Sequence, residues 1–377
     1  MASLEDYVIG NKLGAGTYGQ VYSITRKQDG KQFALKVIPS SERGISGLTE
    51  LDVLFRLQHP NLLHGEAFIL TDPENRLHLA DTYNLMLVLK LALSDMEAFI
   101  TPKISLATRI RFCWECATAV KMMQDHGVHH LDIKPANVFV FGTPEEPTSK
   151  LGDFGLVCYG EATSCQLSGS AFTAGYRPPE EFSLSDETPF LQLYPNPTDI
   201  PWGQLDVLPA NENRKYIAKS TIWALASYFY FVLTGQKLIT GEYYGGEDNE
   251  TGFVREIVEK LFTERRQAVL NLLPTPEAQM LLDSIFQYQQ EARPTIETVL
   301  AHDFFTQAGY TQVVPGLVLE SKTSIQRQQK YQMDKIILLL QKVSPRVDIF
   351  FLAVDLFYRV IDSLTSTYKP GEIVAGV

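Results

Sequence analysis

Apolar and β-branched side chains alternate with polar ones through the N-terminal part of the chain, a pattern typical of half-buried strands. Over residues 7–40 the alternation predicts three strands, and Asp29-Gly30 marks a hairpin turn between the second and the third. Two further strands are predicted around residues 62–70 and 85–91. The alternating positions of the first three strands are Val8, Ile9, Val21, Tyr22, Ile24, Phe33, Leu35 and Val37.

Helical periodicity takes over in the rest of the chain. Residues 46–57 predict one early helix, which His59-Pro60 is expected to end. Residues 106–126 predict a long amphipathic helix, whereas residues 220–233 are almost wholly apolar and predict a buried one. Helices are predicted to dominate again over residues 253–305. A small mixed sheet with one helix should therefore be followed by a mainly helical body.

Two stretches depart from this regular pattern. Repeated prolines between residues 183 and 210 predict an irregular surface excursion. After Pro315, apolar residues over 333–343 and 347–364 predict two more helices. The C-terminal part of the chain is therefore expected to form a separate appendage.

Composition narrows the class of protein. The chain has 377 residues, of which 45% are hydrophobic and 20% charged, as in an ordinary soluble globular protein. Its formal net charge of −11 argues against general nucleic-acid binding, which needs a basic surface. No secretory signal is evident in residues 1–10, and the longest apolar runs are too short to span a bilayer. We therefore expect a soluble cytoplasmic or nuclear protein with no nucleic-acid or membrane partner.

Cysteine usage agrees with an intracellular location. The chain has only 4 cysteines, and Cys113 and Cys116 lie one turn apart in the predicted amphipathic helix. We expect these two to be buried thiols, because a zinc site would need further Cys or His at finger-like spacing. A reducing compartment follows from this pattern.

A glycine-rich turn is the first feature with chemical meaning. Gly14-Ala15-Gly16-Thr17-Tyr18-Gly19 follows Leu13 and precedes Val21, between two predicted strands. Glycines allow the backbone to approach phosphate groups and to direct N–H groups at them. The strand-turn-strand context disfavours a dinucleotide fold, which needs a helix after the turn. A plain glycine-rich hairpin turn would explain the same pattern.

Lys36 lies in the third predicted strand, and Glu50 lies on the first predicted helix. A partly buried pair between them would hold the ammonium group where it can meet phosphate oxygens. The alternative is a solvated lysine in a surface salt bridge, which would contribute little.

Polar residues cluster again in two short loops. Asp132 could accept the proton of an incoming hydroxyl, and Lys134 could neutralise charge on a phosphoryl group in transfer. Asn137 and Asp153 offer an amide oxygen and a carboxylate, which are ligands suited to Mg²⁺. The order of all these parts along one chain is far less common than any one of them.

Together these motifs resemble those of eukaryotic-type Ser/Thr protein kinases, from about Tyr7 to Phe305. The resemblance implies an α+β, two-lobed protein kinase fold. Residues 1–91 would form a small β-rich N-lobe with one helix, residues 92–307 a larger and mainly helical C-lobe, and residues 308–377 a C-terminal helical extension.

The resemblance also implies ATP and Mg²⁺ as cofactors and assigns roles to individual residues. Asp132, Lys134, Lys36 and Glu50 would be catalytic, and Asn137 and Asp153 would hold the metal. Leu89 matches the residue at the back of the adenine site, and Lys90 to Ala92 match the hinge. The residues expected to bind the nucleotide are Leu13, Gly14, Ala15, Gly16, Thr17, Tyr18, Gly19, Val21, Ala34, Lys36, Leu89, Lys90, Ala92 and Phe139.

Smaller marks suggest a subclass. Pro179-Glu180 matches the end of the kinase activation segment, and Arg293 matches the arginine that pairs with this glutamate. The ending Tyr176 to Glu180 resembles that of cyclin-dependent kinases, as does Thr17-Tyr18 in the glycine-rich loop. Residues 351–359 faintly resemble one helix of a cyclin box, although an ordinary helical hairpin would explain them too.

Three features depart from the pattern of the kinases that the chain resembles. Leu131 stands where regulated kinases carry the arginine that binds an activation-loop phosphate, so we expect activity without phosphorylation of Thr163, Ser164, Ser168 or Ser170. Thr221 stands where the family has an aspartate that accepts hydrogen bonds from the catalytic loop. Gly44 and Gly47 weaken the helix that carries Glu50, which suggests help from a regulatory partner or the tail.

The sequence therefore favours a protein Ser/Thr kinase that transfers the γ-phosphoryl group of Mg·ATP to hydroxyls of protein substrates. The alternative is a nucleotide-binding scaffold of the pseudokinase type, for which Leu131 and Thr221 argue. A small-molecule kinase is the third candidate, but such enzymes usually lack the Pro179-Glu180 segment and its arginine.

Overall fold

The computed structural model forms two compact units. It describes residues 3–16, 19–39, 44–71, 84–159, 171–184, 190–201, 204, 207–209, 217–241, 250–311, 313 and 316–318. One unit, the sheet unit, comprises residues 1–58, 63–92 and 316–377, and the other, the helical unit, comprises residues 59–62 and 93–315. Several predictions lie outside the described residues, namely those on Thr17-Tyr18, on the four loop phosphorylation sites, on the two tail helices and on the cyclin-like segment.

The sheet unit is built on five antiparallel strands in the order β1-β2-β3-β6-β5. The elements are β1 (Tyr7–Gly16), β2 (Gly19–Arg26), β3 (Gln32–Pro39), α1 (Gly44–Arg56), β4 (Leu57–Gln58), β5 (Gly65–Thr71) and β6 (Asn84–Lys90). The predicted strands, the turn at Asp29-Gly30 and the single helix are therefore confirmed. Alternation places one face of the sheet inward, where Tyr7, Ile24, Phe33, Leu35, Ile69 and Val88 form the core.

The helical unit carries α-helices joined by short strands. Its helices are α2 (Met96–Phe99), α3 (Leu106–Asp125), α4 (Phe190–Leu193), α5 (Ile217–Thr234), α6 (Glu250–Leu261), α7 (Arg266–Leu270), α8 (Pro276–Ile285), α9 (Ile296–Leu300) and α10 (Asp303–Thr306). Its strands are β7 (Ser94–Asp95), β8 (Val128–His130), β9 (Val138–Gly142), β10 (Pro147–Leu151), β11 (Val157–Tyr159), β12 (Phe182–Leu184) and β13 (Val207–Pro209). Strands β9 and β10 form a hairpin, and β8 pairs with β11.

Helices α3 and α5 form the centre of the helical unit. Helix α5 is buried from Ser220 to Leu233, as predicted. The prediction of an amphipathic α3 is wrong, because every residue from Phe112 to Val120 is buried. Its polar side chains have partners inside the protein: Arg109 Nη1 donates to the Val232 carbonyl at 2.6 Å, and burial lowers the pKa of Arg109.

The proline-rich stretch is more regular than predicted. Phe182–Leu184 and Val207–Pro209 pair as an antiparallel ladder, and the four-residue helix α4 lies between them in sequence. The Phe182 and Phe190 side chains are fully buried, so this segment contributes to the core as well as to the surface.

Two further observations bear on the sequence predictions. Cys113 and Cys116 are buried free thiols, as predicted. Cys158 is disulfide-bonded, which differs from the reduced cysteines expected in a reducing compartment. Among the described helices, each is too short or too polar to cross a bilayer.

In the sheet unit, the last described strand, β14 (Leu317–Val318), pairs with Leu57–Gln58 directly after α1.

Candidate active site

The glycine-rich turn joins β1 to β2. Gly16 pairs with Gly19 at the end of the ladder between the two strands. Gly19 has a φ of 144°, and a Cβ atom there would collide with the carbonyl oxygen of Val37. Gly14 has open space where a Cβ would lie, so packing does not explain its lack of a side chain. Gly19 thus fits the plain hairpin reading, whereas Gly14 fits an exposed backbone open to a ligand.

A buried ion pair links the strand lysine to the helix glutamate. Lys36 Nζ lies 2.7 Å from Glu50 Oε1 and 2.8 Å from Glu50 Oε2. The side chains are 11% and 2% exposed, so the predicted pair is confirmed and is not a surface salt bridge. On α1, an i,i+4 pair between Asp52 and Arg56 at 2.7 Å supports the helix that presents Glu50.

His130, at the end of β8, fixes the backbone around both predicted loops. Its Nε2 donates to the Gly152 carbonyl at 2.9 Å, and its Nδ1 accepts the Asp132 N–H at 3.2 Å. Both bonds require the neutral Nε2–H tautomer, and burial lowers the pKa of His130, which favours that form. The ring also packs edge-on against Phe154 at 5.7 Å between centroids. One side chain therefore ties Asp132 to the residue that precedes Asp153.

The Asp132 carboxylate is the centre of a compact polar cluster. One oxygen accepts the Thr173 hydroxyl at 2.6 Å and the Thr173 N–H at 3.1 Å. The other oxygen accepts the Asn137 amide N–H at 2.9 Å and lies 2.8 Å from Lys134 Nζ. Lys134 Nζ also donates to the Thr173 hydroxyl at 2.8 Å. The structure thus brings the predicted Asp132, Lys134 and Asn137 together.

Asn137 and Asp153 carry the oxygen atoms suited to a hard cation. The Asn137 amide nitrogen donates to Asp132, so its amide oxygen is the atom left for a metal. Asp153 adopts φ 58° and ψ 74°, a left-handed conformation that is rare for a residue with a side chain. Such strained residues cluster at functional sites. In the part of the chain that the structure describes, no group of three or more His, Cys, Asp or Glu is placed to hold a metal.

Thr173 belongs to the Asp132 cluster, although sequence reasoning did not single it out. It follows Phe172, which has a φ of 64° and is 2% exposed. The Phe172 N–H donates to the Leu131 carbonyl at 2.8 Å, and this bond places the threonine beside Asp132. A threonine in a loop has no local signature, so only its distant partner Asp132 reveals its place in the site.

The predicted pair between Glu180 and Arg293 is confirmed. The guanidinium donates two parallel hydrogen bonds, at 2.6 and 2.7 Å, to the two carboxylate oxygens. The Arg293 side chain is 0% exposed, and its guanidinium lies 4.9 Å from the centre of the Trp223 ring. Ser220 Oγ adds a third hydrogen bond to Glu180 at 2.7 Å. This network fixes the C-terminal end of the loop that contains Thr173.

Comparison with known families bears on the fold directly. Residues 7–192, just under half of the chain, match the family model described as a protein kinase domain. The chain has a kinase fold. Its five-stranded sheet unit with one helix and its mainly helical unit correspond to the β-rich and helical lobes that the sequence predicted.

Several protein kinases are similar to this chain at low identity. Serine/threonine-protein kinase ULK3 of Xenopus laevis is 29% identical over 160 residues, which are 41% of this chain and 32% of the relative. Serine/threonine-protein kinase ATG1c of Arabidopsis thaliana is 23% identical over 63% of this chain and 28% of its own length. The chain thus spans about a third of the first curated relatives it matches. Mitogen-activated protein kinase 13 of Homo sapiens is 24% identical over 79% of this chain and 78% of the relative.

The residues predicted to bind adenine lie at defined places within their own units. Ala34 on β3 pairs with Leu89 on β6, and Leu89 is buried. Val21 lies opposite Lys36 across β2 and β3. Phe139 belongs to the helical unit, on β9. The roles of these residues in nucleotide binding stay predictions, and so do the roles of Leu13, Lys90 and Ala92. The resemblance to cyclin-dependent kinases also stays a prediction.

Two departures from the kinase pattern have clear structural consequences. Leu131 is fully buried and contributes only an apolar side chain beside the catalytic loop. The Thr221 hydroxyl donates to the Ile217 carbonyl at 2.9 Å, within its own helix. The short Thr221 side chain is thus used by the preceding turn of its own helix. The effect of the missing aspartate on the catalytic loop stays a prediction.

Proposed function

We propose that this protein is a serine/threonine kinase that transfers the γ-phosphoryl group of Mg·ATP to hydroxyls of protein substrates. One observation carries the proposal: a hydroxyl, that of Thr173, lies 2.6 Å from the Asp132 carboxylate and 2.8 Å from Lys134 Nζ. The two side chains that should act on an acceptor alcohol thus already bind one together. The named relatives described as serine/threonine-protein kinases support the same activity.

In this proposal Asp132 orients the substrate hydroxyl and accepts its proton as the new O–P bond forms. Lys134 neutralises negative charge on the phosphoryl oxygens during transfer. Lys36, held by Glu50, would bind phosphate oxygens of a nucleotide, and the backbone around Gly14 would approach them. Asp132 stays aligned because Asn137 and Thr173 hold one carboxylate oxygen each.

The oxygen ligands present fit magnesium. Asn137 would hold the ion through its amide oxygen and Asp153 through its carboxylate, since hard oxygen donors are what Mg²⁺ prefers. When bound, the ion would supply positive charge to the phosphate oxygens. Two protein ligands suit an ion that completes its coordination with water and phosphate.

A nucleotide-binding scaffold with little phosphotransfer is the second candidate. Thr221 favours it, because the hydroxyl is engaged within α5 at Ile217 and does not support the catalytic loop in the contacts described. His130 supplies an independent support for the same loop, which argues for activity.

Incorporation of labelled phosphate from Mg·ATP into a library of Ser, Thr and Tyr peptides separates the candidates. We expect phosphoserine or phosphothreonine and no phosphotyrosine. A nucleotide-induced rise in melting temperature with no incorporation into any peptide or protein would support the scaffold instead.

We expect the activity not to depend on phosphorylation of the activation loop. Leu131 offers no positive charge to a phosphate there, and Phe172 and Thr173 are already held by hydrogen bonds to Leu131 and Asp132. Treatment with a phosphatase, confirmed by mass spectrometry, should leave kcat unchanged. Loss of turnover after dephosphorylation, restored by rephosphorylation, would contradict this expectation.

A further inference from the structure

We propose that Glu250, the first residue of α6, is a positioning residue that holds the turn at Phe172 and Thr173 through Arg177. This inference rests on the proposed kinase function. It assigns to the Glu250 carboxylate the role of holding the loop that carries Thr173 in place. It follows from a continuous series of hydrogen bonds within the helical unit.

The first link is an ion pair. Arg177 Nη1 lies 2.5 Å from Glu250 Oε2, and the two side chains are 3% and 19% exposed. The Arg177 guanidinium also lies 5.0 Å from the centre of the Phe182 ring. Because both side chains are largely buried, water screens the attraction between their charges only weakly. The Glu250 carboxylate therefore strongly restricts where the Arg177 guanidinium can lie.

The second link runs from Arg177 to a strained turn. Its Nε and Nη2 atoms donate to the Phe172 carbonyl at 3.2 and 3.0 Å, and Nε also lies 3.3 Å from the Ala171 carbonyl. Phe172 has a φ of 64°, a conformation that an aromatic residue adopts only when its surroundings enforce it. The arginine provides that enforcement because it binds the carbonyl of the strained residue itself.

The third link reaches the catalytic carboxylate. The Phe172 N–H donates to the Leu131 carbonyl, and the next residue, Thr173, donates its N–H and hydroxyl to Asp132. A change at Glu250 would therefore reach Asp132 through Arg177, Phe172 and Thr173 in sequence. Leu131 is apolar, so the charge that fixes this turn comes from Arg177, whose own partner is the carboxylate on α6.

The test is Glu250→Gln in the full chain, compared with Glu259→Gln as a matched control. Glu259 lies on the same helix and pairs with Arg255 and Arg265 in a more exposed position. We expect Glu250→Gln to lower kcat about tenfold, the scale of one charge-assisted hydrogen bond, with the KM for ATP unchanged. Amide hydrogen exchange at Phe172 and Thr173 should become faster in this variant and stay at the wild-type rate in Glu259→Gln.

The possible results separate this inference from the proposed function. Wild-type exchange rates at Phe172 and Thr173 in Glu250→Gln would overturn the inference, whatever the activity. Faster exchange spread evenly over the chain, including β2 and β3, would show general destabilisation and would overturn it as well. A wild-type protein that transfers no phosphate would refute the kinase proposal, while the exchange rates would still decide whether Glu250 holds the turn.

Discussion

The Asp132→Asn variant is expected to lower kcat about 10²- to 10⁴-fold, the range for loss of a general acid or base. The asparagine keeps the size of the side chain and one oxygen that can still accept the Thr173 hydroxyl. It cannot take up a proton as a carboxylate does. ATP affinity and melting temperature should therefore stay close to those of the wild type. Steady-state kinetics with a peptide substrate, together with nucleotide titrations, measure both expectations.

Asp283→Asn is a suitable control for this variant. Asp283 lies in the same unit, is 51% exposed and pairs with Arg266 at 2.6 Å, so the substitution removes a charge of the same kind far from the loop. Wild-type kcat is expected there. If Asp132→Asn retained wild-type turnover, Asp132 would not be the proton acceptor and the roles assigned around it would have to be abandoned.

The largest loss of stability is expected for Arg293→Met. This substitution leaves the buried Glu180 carboxylate without the guanidinium that meets both of its oxygens. Breaking a buried pair by removing one partner costs about 3–5 kcal/mol, because the remaining charge is desolvated and unpaired. The free energy of unfolding from urea denaturation of the full chain should fall by this amount.

Arg265→Met provides the comparison, since Arg265 is 57% exposed in its pair with Glu259. Exposed pairs contribute about 0–1 kcal/mol, so the loss should be small. Equal losses for the two arginine variants would show that burial of the Arg293 pair adds nothing to stability.

Local patterns were sufficient where neighbouring residues decide the structure. Alternation predicted β1 to β3, and a wholly apolar stretch predicted the buried helix α5. The Lys36–Glu50 pair was predicted because strand and helix were both recognisable and their spacing matched a known family. In each case the information lay within a short window or a familiar order of motifs.

The same reasoning failed where distant residues decide the outcome. The polar residues of α3 suggested a solvent-facing side, but Glu115 accepts two hydrogen bonds at 2.7 Å from Ser149, and both residues are buried. Burial raises the pKa of Glu115, which shows the cost of placing a carboxyl group there. Periodicity cannot reveal a partner that arrives from another strand, and the same limit hid Thr173.

The net negative charge and the adjacent carboxylates Glu180 and Glu181, near the end of the activation segment, hint at basic peptide substrates. The structure gives the two carboxylates a different role. Glu180 is bound by Arg293, and Glu181 is only 2% exposed. These two carboxylates are therefore structural, and the overall charge of −11 is the remaining support for a basic substrate.

The central proposal is that the protein binds Mg·ATP, with Lys36 contributing to nucleotide binding and Asp153 to the magnesium dependence. The most direct measurement is the Kd for ATP, with Mg²⁺ and with EDTA, of the wild type, Lys36→Met and Asp153→Asn. We expect tight binding by the wild type only with Mg²⁺, weaker binding by Lys36→Met, and loss of the magnesium dependence in Asp153→Asn. Binding that is equally tight in all three proteins, with or without Mg²⁺, would contradict the proposal.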